Sequence, residues 1–276
     1  MIDVVAIIVT YNPDPNRFRL VLSSAAEQAN RVIIIDNASN NRDLIKSLID
    51  SVDNCEFIEI GFNSGIAHAL RVGTKYARKY EPSWLLFLDD DTILLNNALN
   101  RVLSIINDLP SAIRDRIGLM LLGTNNENCD IKEVKYGMFS GTLIRTEIAL
   151  KTCCRDEFFL DQADFDMYSR IRSFGYLTLI IDCKLIDHRL GYRRWARILN
   201  KVITYEPPWR YYYIVRNLTK LLIEGKIDFA FYLKELVHWG AKITLADGPT
   251  MLIKPLGLGL IHALLGEFGY IDQRFF

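Results

Sequence analysis

Three carboxylates in a row, Asp89, Asp90 and Asp91, close a run of four apolar residues, Leu85 to Leu88. Such a run suits a strand buried on both faces. Adjacent acids repel one another unless a cation sits among them, and hard oxygen donors at a strand end suit Mg²⁺ or Mn²⁺. The plainer alternative is a solvated acidic turn capping the next helix. A second acidic group, Asp161, Asp164 and Asp166, stands where a helix should begin, because Met167, Ile171 and Phe174 follow at helical spacing and Gly175 ends the pattern. Asp161 as N-cap with Asp164 three residues on is a plausible capping arrangement. The functional alternative is a helix N-terminus that presents Asp164 to a reacting hydroxyl.

The elements that must position these acids read as alternating strands and helices. Val4 to Val9, Arg31 to Ile35, Cys55 to Ile60, Leu85 to Leu88 and Leu177 to Ile181 are strand-like. Phe18 to Ala29, Asp43 to Val52 and the stretch through Ala67, Leu70 and Tyr76 read as helices. This alternation predicts a doubly wound parallel sheet, which binds ligands at the carboxyl ends of its strands. Thr10, Asp36, Asn63 and Asp89 should gather on that edge. A carboxylate ending a buried strand, as Asp36 does, needs a partner. Tyr11 could instead pack under its loop, and Asn63 could be a turn residue or N-cap. The Gly-rich dinucleotide fingerprint and the phosphate loop ending in Gly-Lys-Ser/Thr are both missing, which disfavours an NAD enzyme or a P-loop ATPase.

At 276 residues, half of them apolar, the chain can build one large α/β domain or a domain with an appendage. The net charge is zero, but residues 1–187 carry 20 Lys/Arg against 26 Asp/Glu and residues 188–276 carry 13 against 7. A basic C-terminal part rich in Trp and Tyr suggests an anionic partner surface. Five cysteines, odd in number and without metal-ligand spacing, read as reduced thiols in a cytosolic protein. No signal peptide is visible, and Met251 to Leu265, broken by Lys254, Pro255 and His262, falls short of the roughly 20 apolar residues that a membrane span needs.

Thr10-Tyr11-Asn12, Asp36-Asn37-Ala38-Ser39, Asn63-Ser64-Gly65-Ile66-Ala67 and Leu88-Asp89-Asp90-Asp91, taken as an ordered set, resemble family 2 glycosyltransferases with the GT-A fold. The resemblance covers roughly residues 3–190. It implies that Thr10 and Tyr11 line the base and ribose of a nucleotide-sugar and that Asp36 meets base or ribose. Asn12, Asn37, Asn63, Gly65 and Asp90 belong to the same binding edge, Asp89 touches ribose or sugar, and Asp91 binds a divalent metal on the diphosphate. Met138 to Arg145 resembles the segment that lies beside donor sugar and acceptor in rhamnosyltransferase-like members, which brings in Ser140 and Gly141; a bulge in a small strand would also explain Gly141. Asp164 matches the family's catalytic base. The family usually has Glu before that Asp, whereas this chain has Ala163, which puts the Glu's acceptor contacts in doubt. Asp161 and Asp166 are candidates for the acceptor or donor sugar. His188 is a candidate metal ligand by the same resemblance, or simply a hydrogen-bonding surface residue.

From Tyr192 to Ile203, Arg193, Arg197 and Lys201 recur at i, i+4, i+8 beside an apolar set of Trp195, Ile198, Leu199 and Val202. That spacing predicts a basic amphipathic helix, packed on the catalytic domain or lying on a membrane. The fold expected is α/β: a GT-A, Rossmann-like, mostly parallel sheet flanked by helices over residues 1–190, with a helical basic/aromatic extension over 191–276. The function expected is metal-dependent, inverting transfer of a sugar from dTDP-rhamnose or a UDP-sugar to a glycan or lipid-linked acceptor in cell-surface polysaccharide synthesis. The expected location is the cytoplasmic face of the plasma membrane, with peripheral contact. A nucleotide-sugar binder without transfer activity is the rival from another class. Nucleic-acid binding is disfavoured by the zero net charge.

Overall fold

In the computed structural model, which describes residues 3–125, 128–189, 191–196 and 200–276, the first buried run forms strand β1 (Val4–Thr10), every residue of which is buried. Helix α1 (Pro15–Ala26) starts three residues before the expected Phe18, because the Asp14 side chain accepts from the Arg17 amide and Pro15 occupies the first turn. Then follow β2 (Arg31–Asp36), α2 (Arg42–Ile49), β3 (Cys55–Glu59), α3 (Ile66–Ala77) and β4 (Trp84–Asp89). The four strands pair in parallel in the order β3-β2-β1-β4. The register sets Thr10 beside Asp36 and Val9 beside Asp89, so the polar strand ends meet on one edge as the alternation predicts.

The sheet is completed by elements from the later sequence. Short β5 (Ile93–Leu94), α4 (Ala98–Asp108) and α5 (Ser111–Arg114) lead to β6 (Ile117–Leu122), β7 (Ile131–Glu133), β8 (Thr142–Arg145), α6 (Thr146–Thr152), α7 (Ala163–Ser173), β9 (Leu177–Ile181) and β10 (Ile186–Asp187). The eight-stranded order is β3-β2-β1-β4-β8-β6-β9-β7. β8 runs antiparallel between β4 and β6, and β7 runs antiparallel to β9. Aliphatic side chains of β1, β2, β4, β6 and β9 form the main core with α1, α2 and α4.

Two expectations fail here. The cysteines are not all free: Cys129 pairs with Cys183 and Cys153 with Cys154, leaving only Cys55 as a thiol. The first pair follows from strand register, since Ile131 lies opposite Ile181 in the antiparallel β7–β9 pair and the two cysteines stand two residues beyond that match on either side. Linear spacing carries no trace of it. The basic helix expected from Tyr192 to Ile203 is instead a hairpin of β11 (Tyr192–Ala196) and β12 (Lys201–Tyr205), with Arg197, Ile198 and Leu199 outside the described residues. Tyr, Trp, Val, Ile and Thr favour a pleated strand over a helix, and Asn200, just before β12, has a left-handed backbone. Alternation therefore places Arg193 with Trp195 and Val202 on one face and Lys201 on the other.

The chain divides into two compact units, Met1–Arg155 with Met167–Arg189, and Asp156–Asp166 with Leu190–Phe276. In the second, α8 (Pro208–Ile223) buries ten of its side chains. It is joined by α9 (Phe229–Asp247) and α10 (Ile253–Leu265). α10 approaches closely: a Cβ on Gly259 would meet Val215 of α8 at 2.8 Å. Among the described residues no helix is long and apolar enough to cross a membrane.

Candidate active site

The carboxyl edge of the first unit is held by side chains that satisfy one another. Thr10 and Asp36, both fully buried, share a 2.9 Å hydrogen bond from the threonine hydroxyl, and the Ser39 amide donates to the other Asp36 oxygen at 3.0 Å. Asn37 donates to Asn63 Oδ1 at 3.1 Å and accepts from both the amide and hydroxyl of Ser64 at 2.8 Å. Asn63 also accepts from the Gly65 amide at 3.2 Å, so it shapes a turn and does not cap α3, whose N-cap is Gly65 itself. Asn12, with positive φ, takes Ser39 Oγ on its amide and receives the Asn40 amide on its side chain. Tyr11 is 48% exposed, which removes the alternative of a ring packed under its loop.

The three successive acids relieve their repulsion in different ways. Asp90 turns back to accept from the Tyr11 amide at 3.0 Å. Burial, reinforced by Asp89, Asp91 and Asp36, pushes its pKa up to about 7 despite that hydrogen bond. Asp91 meets His188 Nδ1 at 3.2 Å. Burial disfavours the imidazolium, yet the Asp91 hydrogen bond and the charges of Asp89 and Asp91 outweigh it and raise the His188 pKa. One atom each from Asp89, Asp91 and His188 lies within 4.8 Å of the other two. Two hard carboxylate oxygens and an imidazole nitrogen fit Mn²⁺ or Mg²⁺. His188 thus belongs to the acidic cluster and is not an isolated surface residue.

Several residues that hold this cluster carry no motif. Buried Arg17 donates to the Asp91 carbonyl at 2.7 Å, to the Asp187 carboxylate at 2.9 Å and to the Asp187 carbonyl at 2.6 Å. One guanidinium therefore ties the acidic loop to the backbone beside His188, and it lowers the Asp187 pKa. Thr92, fully buried, bonds His188 Nδ1 at 2.6 Å and accepts from Ser140 at 2.7 Å, while Ser140 accepts from the Asp89 amide at 2.9 Å. Ser140 is thus a buried brace under Asp89. Gly141 has φ +78°, and a Cβ there would meet Ile186 Cδ1 at 2.6 Å. Gly141 stands just before β8, and its positive φ favours glycine whatever the space around it. The only sequence signal for Arg17 was its place just past Asp14-Pro15, which reads as a helix start.

In the second unit the acids separate in role. Asp161 and Gln162 both have left-handed backbones, φ +59° and +54°, a conformation that costs roughly 1–3 kcal/mol for each non-glycine residue. Asp161 is not the N-cap that its spacing suggested; its carboxylate is gripped by Arg210, which also reaches Glu206 at 2.6 Å. The side-chain amide of Asn217, fully buried, donates to the carbonyls of Leu160 and Asp161 at 2.7 and 2.8 Å. Asp166 is buried and pairs with Lys226. Asp164, half-buried in the first turn of α7, accepts from the Phe165 amide at 2.8 Å. Phe174, expected to continue the apolar face of α7, is exposed beyond the helix end.

Residues 5–118 match the family model described as glycosyl transferase family 2. The chain is 25% identical over 258 residues to the dTDP-rhamnosyl transferase RfbF of Shigella flexneri, with 85% of each chain covered. Among solved structures it resembles S. aureus TarS, with a TM-score of 0.59 at 15% identity over 99% of this chain and 50% of that one. It also resembles GalNAc-T7 crystallised with UDP, GalNAc and Mn²⁺, with a TM-score of 0.59 at 12% identity over 86% and 54%. The chain spans about half the length of these two structures, and at such identity the likeness is one of fold.

Proposed function

We propose that this chain, whose residues 5–118 match the glycosyl transferase family 2 model, is a member of that family and transfers rhamnose from a dTDP-linked donor to a hydroxyl of a glycan or lipid-linked acceptor, with inversion at the sugar. The carrying observation is the convergence of Asp89, Asp91 and His188 on the carboxyl edge of a parallel sheet. The rhamnose donor is favoured by the name of the Shigella flexneri relative, and a UDP-sugar by the ligand of GalNAc-T7. Asp89, Asp91 and His188 would hold the metal, and a divalent cation there supplies Lewis-acid stabilisation of the departing diphosphate. Thr10, Tyr11, Asp36 and Asn37 form or brace the nucleotide edge. Asp164 takes the proton from the acceptor oxygen as that oxygen bonds to the anomeric carbon and the carbon–diphosphate bond breaks. Cell-surface polysaccharide synthesis at a membrane face is the setting this chemistry fits, and the exposed Trp195 and Arg193 of the hairpin suit contact with such a face.

Two measurements test the proposal. In a thermal-shift screen of nucleoside diphosphates and their sugars with Mn²⁺, the true donor at 100 times its Kd adds about 2.7 kcal/mol. Silence toward every dTDP and UDP compound would refute donor binding. Asp164→Asn should keep donor affinity yet lower turnover by roughly 10²–10⁴-fold. A fully active variant would remove Asp164 as the base, and turnover absent from the parent with every acceptor tried would favour the non-catalytic binder.

A further inference from the structure

We infer that Arg210 and Asn217 of α8 are positioning residues for Asp164: they lock Asp161 and Gln162 in their left-handed turn and so set the start of α7, the turn of helix on which Asp164 stands. The inference rests on Asp164 as the base and extends it to residues 46 and 53 positions away in sequence. Three observations carry it. Two consecutive non-glycine residues with positive φ stand directly before the helix that begins at Ala163. Both constraints on that turn come from one helix: Arg210 takes the Asp161 carboxylate and Asn217 takes the carbonyls of Leu160 and Asp161. Gln162 Oε1 is buried with no hydrogen-bond partner, although a buried amide oxygen ordinarily finds one. Strain and an unmet acceptor are thus concentrated at the entrance to Asp164, where an ordinary N-cap would have sufficed. Asp161, the residue best suited by type to cap α7, is drawn to Arg210 instead.

The scaffold that applies the constraint is buried and closely packed. Arg216, also fully buried, donates to the Gly269 carbonyl at 2.8 Å and lies over the rings of Tyr213 and Phe268. Phe159 stacks on Tyr213 with centroids 5.4 Å apart, anchoring the segment just before the turn. A site held by residues whose own rotamers are locked keeps its geometry to the fraction of an ångström that proton transfer needs.

The test uses Arg210→Lys, which keeps the charge and loses the planar fork, and Asp161→Asn, which keeps the arginine and loses its charged partner. Each is made alone and in an Asp164→Asn background, and all are assayed for Mn²⁺-dependent release of nucleoside diphosphate from dTDP-rhamnose, or from the UDP-sugar that the shift screen selects. Melting temperature and donor Kd are measured alongside. Each single variant should lose about 10–100-fold in kcat, with donor Kd within twofold. In the Asp164→Asn background the same changes should cost less than about twofold, because residues acting through one group are not additive. Equal losses in both backgrounds, or single variants with parental kcat while Asp164→Asn is inactive, would overturn the positioning role alone. A fully active Asp164→Asn would overturn the base and, with it, this inference.

Discussion

The acidic edge of the first unit and the entrance to α7 in the second are both clusters of carboxylates, but they are made in opposite ways. On the edge, parallel strands deliver Asp36 and Asp89 on either side of β1; Thr10 and Ser39 donate to the Asp36 carboxylate, and Ser140 accepts from the Asp89 amide. At α7 no strand helps. Asp161 and Asp166 pair with long cations from distant parts of the chain, Arg210 and Lys226. A strand end presents its polar residues by topology, whereas a helix start is aimed by whatever grips its first turn.

The largest expected effect breaks the edge: Asp91→Ala should abolish metal-enhanced binding of nucleoside diphosphate in calorimetry while the thermal transition persists, and unchanged binding would rule Asp91 out as a ligand. Next comes the other cluster. Lys226→Met removes the ammonium paired with buried Asp166 and should cost about 3–5 kcal/mol, read as a lower melting temperature. A variant as stable as the parent would mean that Asp166 is not neutralised by Lys226. Arg17→Lys tests whether the edge too depends on a long-range cation. Mn²⁺ affinity, titrated by calorimetry, should fall roughly 10–100-fold, as for other residues that orient metal ligands. If affinity holds, the strand ends suffice without the guanidinium. Gly141→Ala should cost about 1–3 kcal/mol, since an L residue is strained at φ +78° and its Cβ would also displace Ile186 Cδ1; chemical denaturation would reveal it. The smallest effect is expected at the hairpin, where Trp195→Ser removes an exposed ring and should change stability by less than about 0.5 kcal/mol. A larger loss would mean that the hairpin face is covered.

Legibility followed the same division. β1 to β4 and β9 were found within a residue or two because buried parallel strands are continuous apolar runs, and their polar ends named the edge residues directly. Helices α1 to α3 were placed with their starts shifted by up to three residues, as capping by Asp14 illustrates. Nothing was assigned between Thr92 and Tyr136, although Ile117 to Leu122 is a buried apolar run that forms β6 at the middle of the sheet's second half. The hairpin was misread because cations at i, i+4, i+8 satisfy a helical template even when the residues among them are aromatic and β-branched.

By itself, then, the sequence determined the repeated strand–helix units, the carboxyl edge they build, and the types of residue that stand there, because burial and backbone periodicity act over a few residues at a time. Tertiary structure alone decided that β8 enters antiparallel between β4 and β6, that Cys129 meets Cys183, that Arg17 links Asp91 to Asp187, and that Arg210 and Asn217 hold the turn before Asp164. Each of these joins residues tens of positions apart. A guanidinium or an amide chooses its partner by distance and desolvation in the folded chain, and neither is written in the spacing along it.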